Sequence, residues 1–307
     1  MALSYETIRG WRFPPVEHRY GVQDVLLYAA TLGLGEDPLD ETQLAFLRAP
    51  DPRVLPTFAV TLGYPGLWMR EPGAGIDWRR MVHAEQRMRL YRELRSTETV
   101  TAQHAVTHVT DKGPDKGALV VVRRTLRDVG GAVVAELDQT SFCRGDGGIG
   151  AGDTPPAPLP ACPDRQPDAE LRLRTLPQHA LLYRLNGDMN PLHWDPSVAA
   201  AAGFERPILH GLCTYGLAAR AVMQQAESLG ASGDLVRFDV RFSQPVFPGE
   251  TLWLRLWREG LQEIRFDAIV SEREVRVLSH GIACFEDGPA DAGLAASACP
   301  SSKEVQV

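Results

Sequence analysis

Apolar and polar side chains alternate with a period of two along several stretches of the chain. From 236 to 242, Val236, Phe238, Val240 and Phe242 fall on one face and Arg237, Asp239 and Arg241 on the other. Residues 251–257 (TLWLRLW), 263–271 (EIRFDAIVS) and 274–285 keep the rhythm, with 245–250 (PVFPGE) as the turn after the first of them. Such alternation predicts half-buried strands. Three Val- and Thr-rich runs at 97–110, 117–127 and 131–143 predict another group, divided by turn signals at 111–113 and 130–131. Helical spacing occurs in two places. Residues 22–33 (VQDVLLYAATLG) end on a glycine stop signal. Residues 212–229 (LCTYGLAARAVMQQAESL) predict a longer helix. Gly216, Ala218, Ala219 and Ala221 line its first half, which suits close burial against a sheet.

Between the two groups of strands, 144–168 passes from Gly-rich to Pro-rich sequence and periodicity vanishes, as in a surface linker. The expected organisation is an N-terminal domain at 1–150, a Gly/Pro-rich linker at 151–168, a C-terminal domain at 169–290 and a flexible tail at 291–307. The two domains echo each other in sequence. Q-D-V-L-L-Y (23–28) matches Q-H-A-L-L-Y (178–183), D-P-L-D (37–40) matches N-P-L-H (190–193), and E-T-V (98–100) matches E-T-L (250–252). Three anchors in order at nearly constant offset indicate a duplicated domain. By the second anchor, Gly35 takes the place of Asp188, and Asp40 that of His193.

Composition narrows the possible partners. A chain of 307 residues with 44% hydrophobic content can bury a sizeable core. A net charge of -7 argues against nucleic acid or an anionic membrane surface as partner. No apolar run approaches about 18 residues, so no membrane span is expected. The N-terminus lacks the layout of a signal peptide, and the final KEVQV is not a peroxisomal address. Five scattered cysteines (143, 162, 213, 284, 299) without close pairing predict neither a disulfide framework nor a zinc site, and the expected location is the cytoplasm.

Candidate chemistry concentrates in Y-R-L-N-G-D-M-N-P-L-H-W-D-P (183–196). Asn186 and Asn190 are the only asparagines of the chain, and Gly187, Pro191 and Pro196 hold the stretch in a shaped turn. A carboxylate and an imidazole five residues apart, Asp188 and His193, can share one water, one accepting a proton while the other supplies one. Asn190 lies between them and can orient either. Asp195 before Pro196 has the form of a helix N-cap, for a short helix ending at Gly203. The loop F-E-R-P-I-L-H-G-L (204–212) leads into the long helix. There the amide of Gly211 is free of side-chain obstruction and can hold an oxyanion. His210 can line the same pocket. A metal site from Asp188, His193 and His210 is conceivable, but without cysteine neighbours or a close second His pair the reading is no metal. Gly145 to Gly150 satisfies G-x-G-x-x-G, but TPPAPLP follows where a dinucleotide site needs a helix. His104 and His108 fall on one face of an alternating strand, a packing arrangement. Arg237 and Arg241 share a strand face, where solvated charge is the default reading.

The 183–196 turn, with R-P-I-L-H-G-L (206–212) and V-R-F-S-Q-P-V-F-P-G-E-T-L (240–252), resembles the MaoC-like, type 2 (R-specific) enoyl-CoA hydratases. The first half resembles their N-terminal partner domain in D-P-L-D (37–40), L-P-T-F-A-V-T-L-G-Y-P-G (55–66) and H-A-E-Q-R (83–87). The resemblance implies an α+β double hot-dog fold, with a curved antiparallel sheet wrapped around a central helix in each half. It implies reversible hydration of a trans-2-enoyl-CoA by Asp188 and His193, with Asn190 as companion and Gly211 as oxyanion donor. His210, Leu212, Arg237 and Arg241 are then the candidate substrate contacts, the arginines toward the CoA phosphates. No cofactor is implied beyond the CoA thioester as substrate, and a homodimer is expected. The eroded first half is implied to make room for a longer acyl chain. One departure is Asn186, where the family leads one to expect Ser. A hot-dog acyl-CoA thioesterase, or a non-catalytic subunit that binds acyl thioesters, stays open as an alternative on this scaffold.

Overall fold

The computed structural model describes residues 3–286. The tail expected at 291–307, and Cys299 within it, lie outside the described residues. In chain order the elements are α1 (Tyr5–Arg9), β1 (Val16–Tyr20), α2 (Val22–Thr31), α3 (Glu41–Leu44), β2 (Met81–Leu90), β3 (Glu98–Asp111), β4 (Ala118–Arg127), β5 (Val133–Cys143), β6 (Ala169–Arg174), α4 (His179–Tyr183), α5 (Pro196–Ala201), α6 (Gly211–Ala226), β7 (Asp234–Phe242), β8 (Thr251–Arg258), β9 (Glu263–Val270) and β10 (Val275–Glu286).

All ten strands join one antiparallel sheet in the order β1-β3-β4-β5-β2-β7-β10-β9-β8-β6. Read outward from the middle, each half runs through its strands in the same sequence, so the repeat seen in the sequence is also a repeat of topology. The halves meet at β2 and β7, where Glu85 faces Arg241 and Gln86 faces Val240. This is the double hot-dog arrangement, and it corrects one element of the expectation. The second half wraps its sheet around α6, whose sixteen residues include eleven that are buried, among them every residue from Cys213 to Val222. The first half has only a 3-10 turn, Pro56–Thr61, at the corresponding place. The offset that aligns Gln23 with Gln178 also aligns Pro56 with Gly211. Pro65, Gly66, Pro72, Gly73 and Gly75 follow in the first copy, and they stop a helix that the Pro-free second copy can complete. Helix α2, legible from its periodicity, is the counterpart of the short α4 rather than of α6.

Capping roles shift the correspondence of the repeat as well. Asp40 caps α3 by accepting from the amides of Thr42 and Gln43, and Asp195 caps α5 by accepting from those of Ser197 and Val198. Asp40 is therefore the counterpart of Asp195 and not of His193. Asp40 and Asp195 stand at the same offset as Gln23 and Gln178, so the copies are equal in length up to the cap and the match of D-P-L-D to N-P-L-H falls two residues out of register. By either count the first copy has no acid–histidine pair.

Contacts between the halves are built into the end of α2. The helix closes with Gly33 in the left-handed region (φ 77°), its amide on Ala30 and that of Leu34 on Ala29. Two further carbonyls are satisfied from the other half: the ring of His179 bonds Thr31, and Arg220 donates to Leu32 at 2.7 Å. At the sheet junction, buried Asp239 accepts from the amide of Met88 at 3.2 Å and pairs with Arg237 at 2.7 Å. Helix α6 crosses α2 at Gly216, where a Cβ would stand 2.7 Å from Leu32 and 3.0 Å from the Tyr28 hydroxyl. The small-residue stripe thus admits a neighbouring helix. Gly216→Val should cost about 1–3 kcal/mol by overpacking. Urea unfolding measures it, and an unchanged midpoint would show that the two helices have room to move apart.

The 144–168 stretch has no helix or strand through 145–168, but it is held rather than loose. Asp111 accepts from the amides of Gly148 and Gly150, and Asp153 accepts from the Tyr5 hydroxyl and the Val109 amide. Leu159 is buried. No helix follows the G-x-G-x-x-G run, as expected.

Candidate active site

Residues 183–196 follow α4 as two 3-10 turns, Arg184–Asn186 and Pro191–His193, divided by Gly187. Asn190 caps the second turn, its side-chain oxygen accepting from the amide of Leu192 at 3.2 Å, while its own amide donates to Asp188 at 3.1 Å. Asn190 therefore fixes both the acid before it and the histidine after it. Asn186 donates to the Tyr183 carbonyl at 3.1 Å and points at Thr31 of α2, so the departure from Ser is a turn that also touches the first half.

Asp188, His193 and His210 converge: one side-chain ligand atom from each lies within 4.8 Å of the others. His193 is 8% exposed, and its Nδ1 donates to the Ile208 carbonyl at 2.9 Å. That bond fixes the tautomer and leaves Nε2 with its lone pair. Burial holds the His193 ring below the ordinary histidine range, against the pull of the Asp188 charge, so the ring is a neutral acceptor at neutral pH. His210 lies behind it, stacked at 3.8 Å between centroids, and its Nε2 donates to the Asp188 carbonyl at 3.1 Å. Burial, then the neighbouring His193, pushes it down to about 2.

Gly211 opens α6, whose first amides have no acceptor within the helix. A Cβ there would touch the Phe242 ring at 3.4 Å. That ring packs at 4.7 Å on His83 of β2, which burial pushes down to about 4 and which feels the Asp188 charge. Tyr64 feels the same charge, and burial first raises it to about 12. His83 and Tyr64 bring the first half to the site. The residue-by-residue reading missed both, and their only signal was that they lie in segments carrying the family resemblance.

The remaining expected contacts fall elsewhere. His210 is 1% exposed and stands beneath the pair rather than along a ligand path. Leu212 packs on the main core. Arg237 and Arg241 lie on the face of β7 opposite Phe238, Val240 and Phe242, and Arg237 is held by Asp239. That face is turned away from the acid–histidine pair. His104 and His108 do not share a face, because a bulge between Val106 and His108 turns the second one over.

Beside the turn lies a cavity of about 490 Å³, in the space where the first half lacks a central helix. Its walls are the 64–70 loop, the inner face of β3 to β5, residues 190–192 of the turn, and α5. It reaches the candidate site through Asn190.

A duplicated hot-dog chain that carries one acid–histidine pair beside a helix start, with a cavity in its eroded half, has the layout of a hydro-lyase acting on acyl thioesters. Residues 159–280 match the MaoC-like domain, and residues 18–145 match the MFE-2 hydratase 2 N-terminal domain. The chain is 35% identical to an enoyl-CoA hydratase of Mycobacterium tuberculosis, over 92% of this chain and 98% of that protein. It is also 35% identical to the peroxisomal enoyl-CoA hydratase 2 of Arabidopsis thaliana, over 87% and 91%. A MaoC-like dehydratase from Phytophthora capsici, solved by crystallography, superposes with a TM-score of 0.79 at 33% identity, covering 94% of this chain and all of that one. The chain belongs to the MaoC-like dehydratase and enoyl-CoA hydratase 2 family. Among the described residues, Cys143, Cys162, Cys213 and Cys284 are in no disulfide, and no helix is long and apolar enough to cross a membrane.

Proposed function

We propose that the protein is an (R)-specific enoyl-CoA hydratase that adds water reversibly across a trans-2-enoyl thioester to give a 3-hydroxyacyl thioester. The observation that carries this is His193, neutral and fixed in tautomer, with its free Nε2 near the Asp188 carboxylate, on a turn whose Asn190 lines an acyl-sized cavity. A water held by the two loses a proton to Nε2 of His193 as its hydroxide bonds C3. The electron pair of the double bond moves to the thioester oxygen, where the amide of Gly211 receives the developing charge. Collapse of that enolate takes one proton at C2, returned through the Asp188–His193 pair, so the product differs from the substrate by one water. Dehydration runs the same path backwards. Asn190 holds both groups in place, and the cavity accommodates the acyl chain.

The protein is further read as a cytoplasmic homodimer, on its cysteine usage and family likeness. Sedimentation at assay concentration tests the dimer. The Arabidopsis relative carries peroxisomal in its name, and imaging of the tagged full chain in its own cells tests the location. For the activity, loss of conjugated thioester absorbance on incubation with enoyl-CoAs of several lengths is expected. No turnover at any length would sink the reading, and release of free thiol instead would make the protein a thioesterase.

A further inference from the structure

The cavity combines three arginines, Arg70, Arg79 and Arg124, with no Asp or Glu among the described residues that line it, in a chain of net charge -7. Arg70 and Arg79 stack on Trp78 at 4.2 and 4.8 Å. Arg124 is different. It projects from β4 into the fold, is 4% exposed, and has no carboxylate partner within ion-pair distance among the described residues. One guanidinium nitrogen donates to the carbonyls of Val60 and Leu62 at 3.1 and 2.6 Å, which fixes the group and leaves its other donors to the cavity wall. A buried cation without a counter-ion is costly. Here the cost is met only by two neutral carbonyls, and burial lowers its pKa to about 10, so it stays charged at neutral pH.

The surroundings of Arg124 are polar and neutral. His104 is its cross-strand partner, Gln139 lies diagonal to it, and Ser141 is one step further along β5. The Gly63 backbone lies beside the His104 ring without reaching hydrogen-bond geometry, so that imidazole is also unpartnered. A cavity for a plain alkyl chain needs none of these groups. A fixed guanidinium fork in a low-dielectric wall, flanked by unused donors, is suited to a carboxylate.

We propose that the preferred substrates are trans-2-enoyl thioesters of dicarboxylic acids, whose far carboxylate meets Arg124. This rests on the hydratase reading above and adds the class of acyl group to it.

The test assays two trans-2-enoyl-CoA thioesters of equal length, one ending in methyl and one in carboxylate, with a four-carbon enoyl-CoA as control for hydration itself. Wild type is expected to give the higher kcat/KM with the carboxylate-ended substrate. In Arg124→Met the ratio of the two kcat/KM values should fall about tenfold or more, mainly through KM. Gln139→Glu is the second variant. It is isosteric, leaves the contacts of Arg124 to Val60 and Leu62 in place, and sets a negative charge diagonal to the guanidinium. It should lower the ratio to a similar degree, and it decides the matter if Arg124→Met does not fold. A wild-type ratio of one or below, or a ratio unmoved in the variants, overturns the proposal and makes Arg124 a clamp for the 60–62 backbone alone. In that case turnover of the four-carbon substrate leaves the hydratase reading standing. If no enoyl thioester is turned over, that reading fails instead. Calorimetric titration with saturated thioesters of both kinds then decides this one: tighter binding of the carboxylate-ended probe supports it, and equal binding overturns it.

Discussion

Asp188→Asn is expected to lower kcat for hydration by about 10³, within the range that positioned proton transfer contributes, with little change in KM. The substitution is chosen to keep geometry. An amide oxygen can still accept from the Asn190 amide, as Asp188 does at 3.1 Å, so the turn keeps its shape while the charge disappears. His193→Gln should lose a similar factor, because the Ile208 carbonyl keeps a donor while the free Nε2 lone pair is lost. The double variant distinguishes a shared step from two separate ones. If the pair handles one water together, the double loss is close to either single loss and far short of their product. The acid limb of kcat/KM should fall below about pH 6.5, since burial lowers His193 and only its neutral form accepts the proton. Full activity in either single variant would remove the pair from the mechanism.

Acid should unfold this protein early. Seven of its eight histidines are displaced below the ordinary value, burial being the first cause for each. A lowered folded value means that the unfolded chain binds more protons, so stability is fully present above about pH 6.5 and drains away below it. The window runs from there down to about 4 for His83 and about 2 for His210. His210 is the clearest case, being 1% exposed and bonded by one nitrogen only to the Asp188 carbonyl. A group of this kind removes up to about 1.4 kcal/mol for each pH unit below 6.5, against a typical total of about 5–15 kcal/mol. Asp239 works in the opposite sense, since burial raises its carboxyl, but it is one group among many. Urea midpoints at pH 7.5, 6 and 5 should fall steadily, and His210→Asn should flatten the slope. Equal midpoints across that range would mean that the buried histidines already titrate as in the unfolded chain.

Much of this could be read in the chain itself. Strands β7 to β9 came from period-two alternation because one face is more deeply buried than the other, whereas β10 is buried on both faces along most of its length. The Asp195 cap, and the pairing of Asp188 with His193, came from residue types whose local chemistry is narrow. What escaped has physical reasons. Strand β2 carries Gln86 fully buried at the junction of the halves, so its pattern does not alternate. Strand β6 does alternate, but it is a six-residue edge strand directly after the Pro-rich stretch. The bulge that turns His108 away from His104 leaves no mark in composition. The cavity was least legible, because it exists where a helix is missing. Its trace was a cluster of proline and glycine between 65 and 75, which reads as loop wherever it occurs.

The way α2 is closed off bears on how the molecule comes into being. The ring that bonds Thr31 lies 148 residues further along the chain, and the guanidinium that bonds Leu32 lies 188 residues beyond it. The edge of β2 likewise waits for β7. A ribosome adding about 5–20 residues each second leaves these groups in water for roughly 7 to 40 seconds after they emerge. Through that interval the first half presents an open strand edge and a bare helix end. The enzyme is therefore a nascent chain that must be kept from pairing with its neighbours until its own second copy arrives.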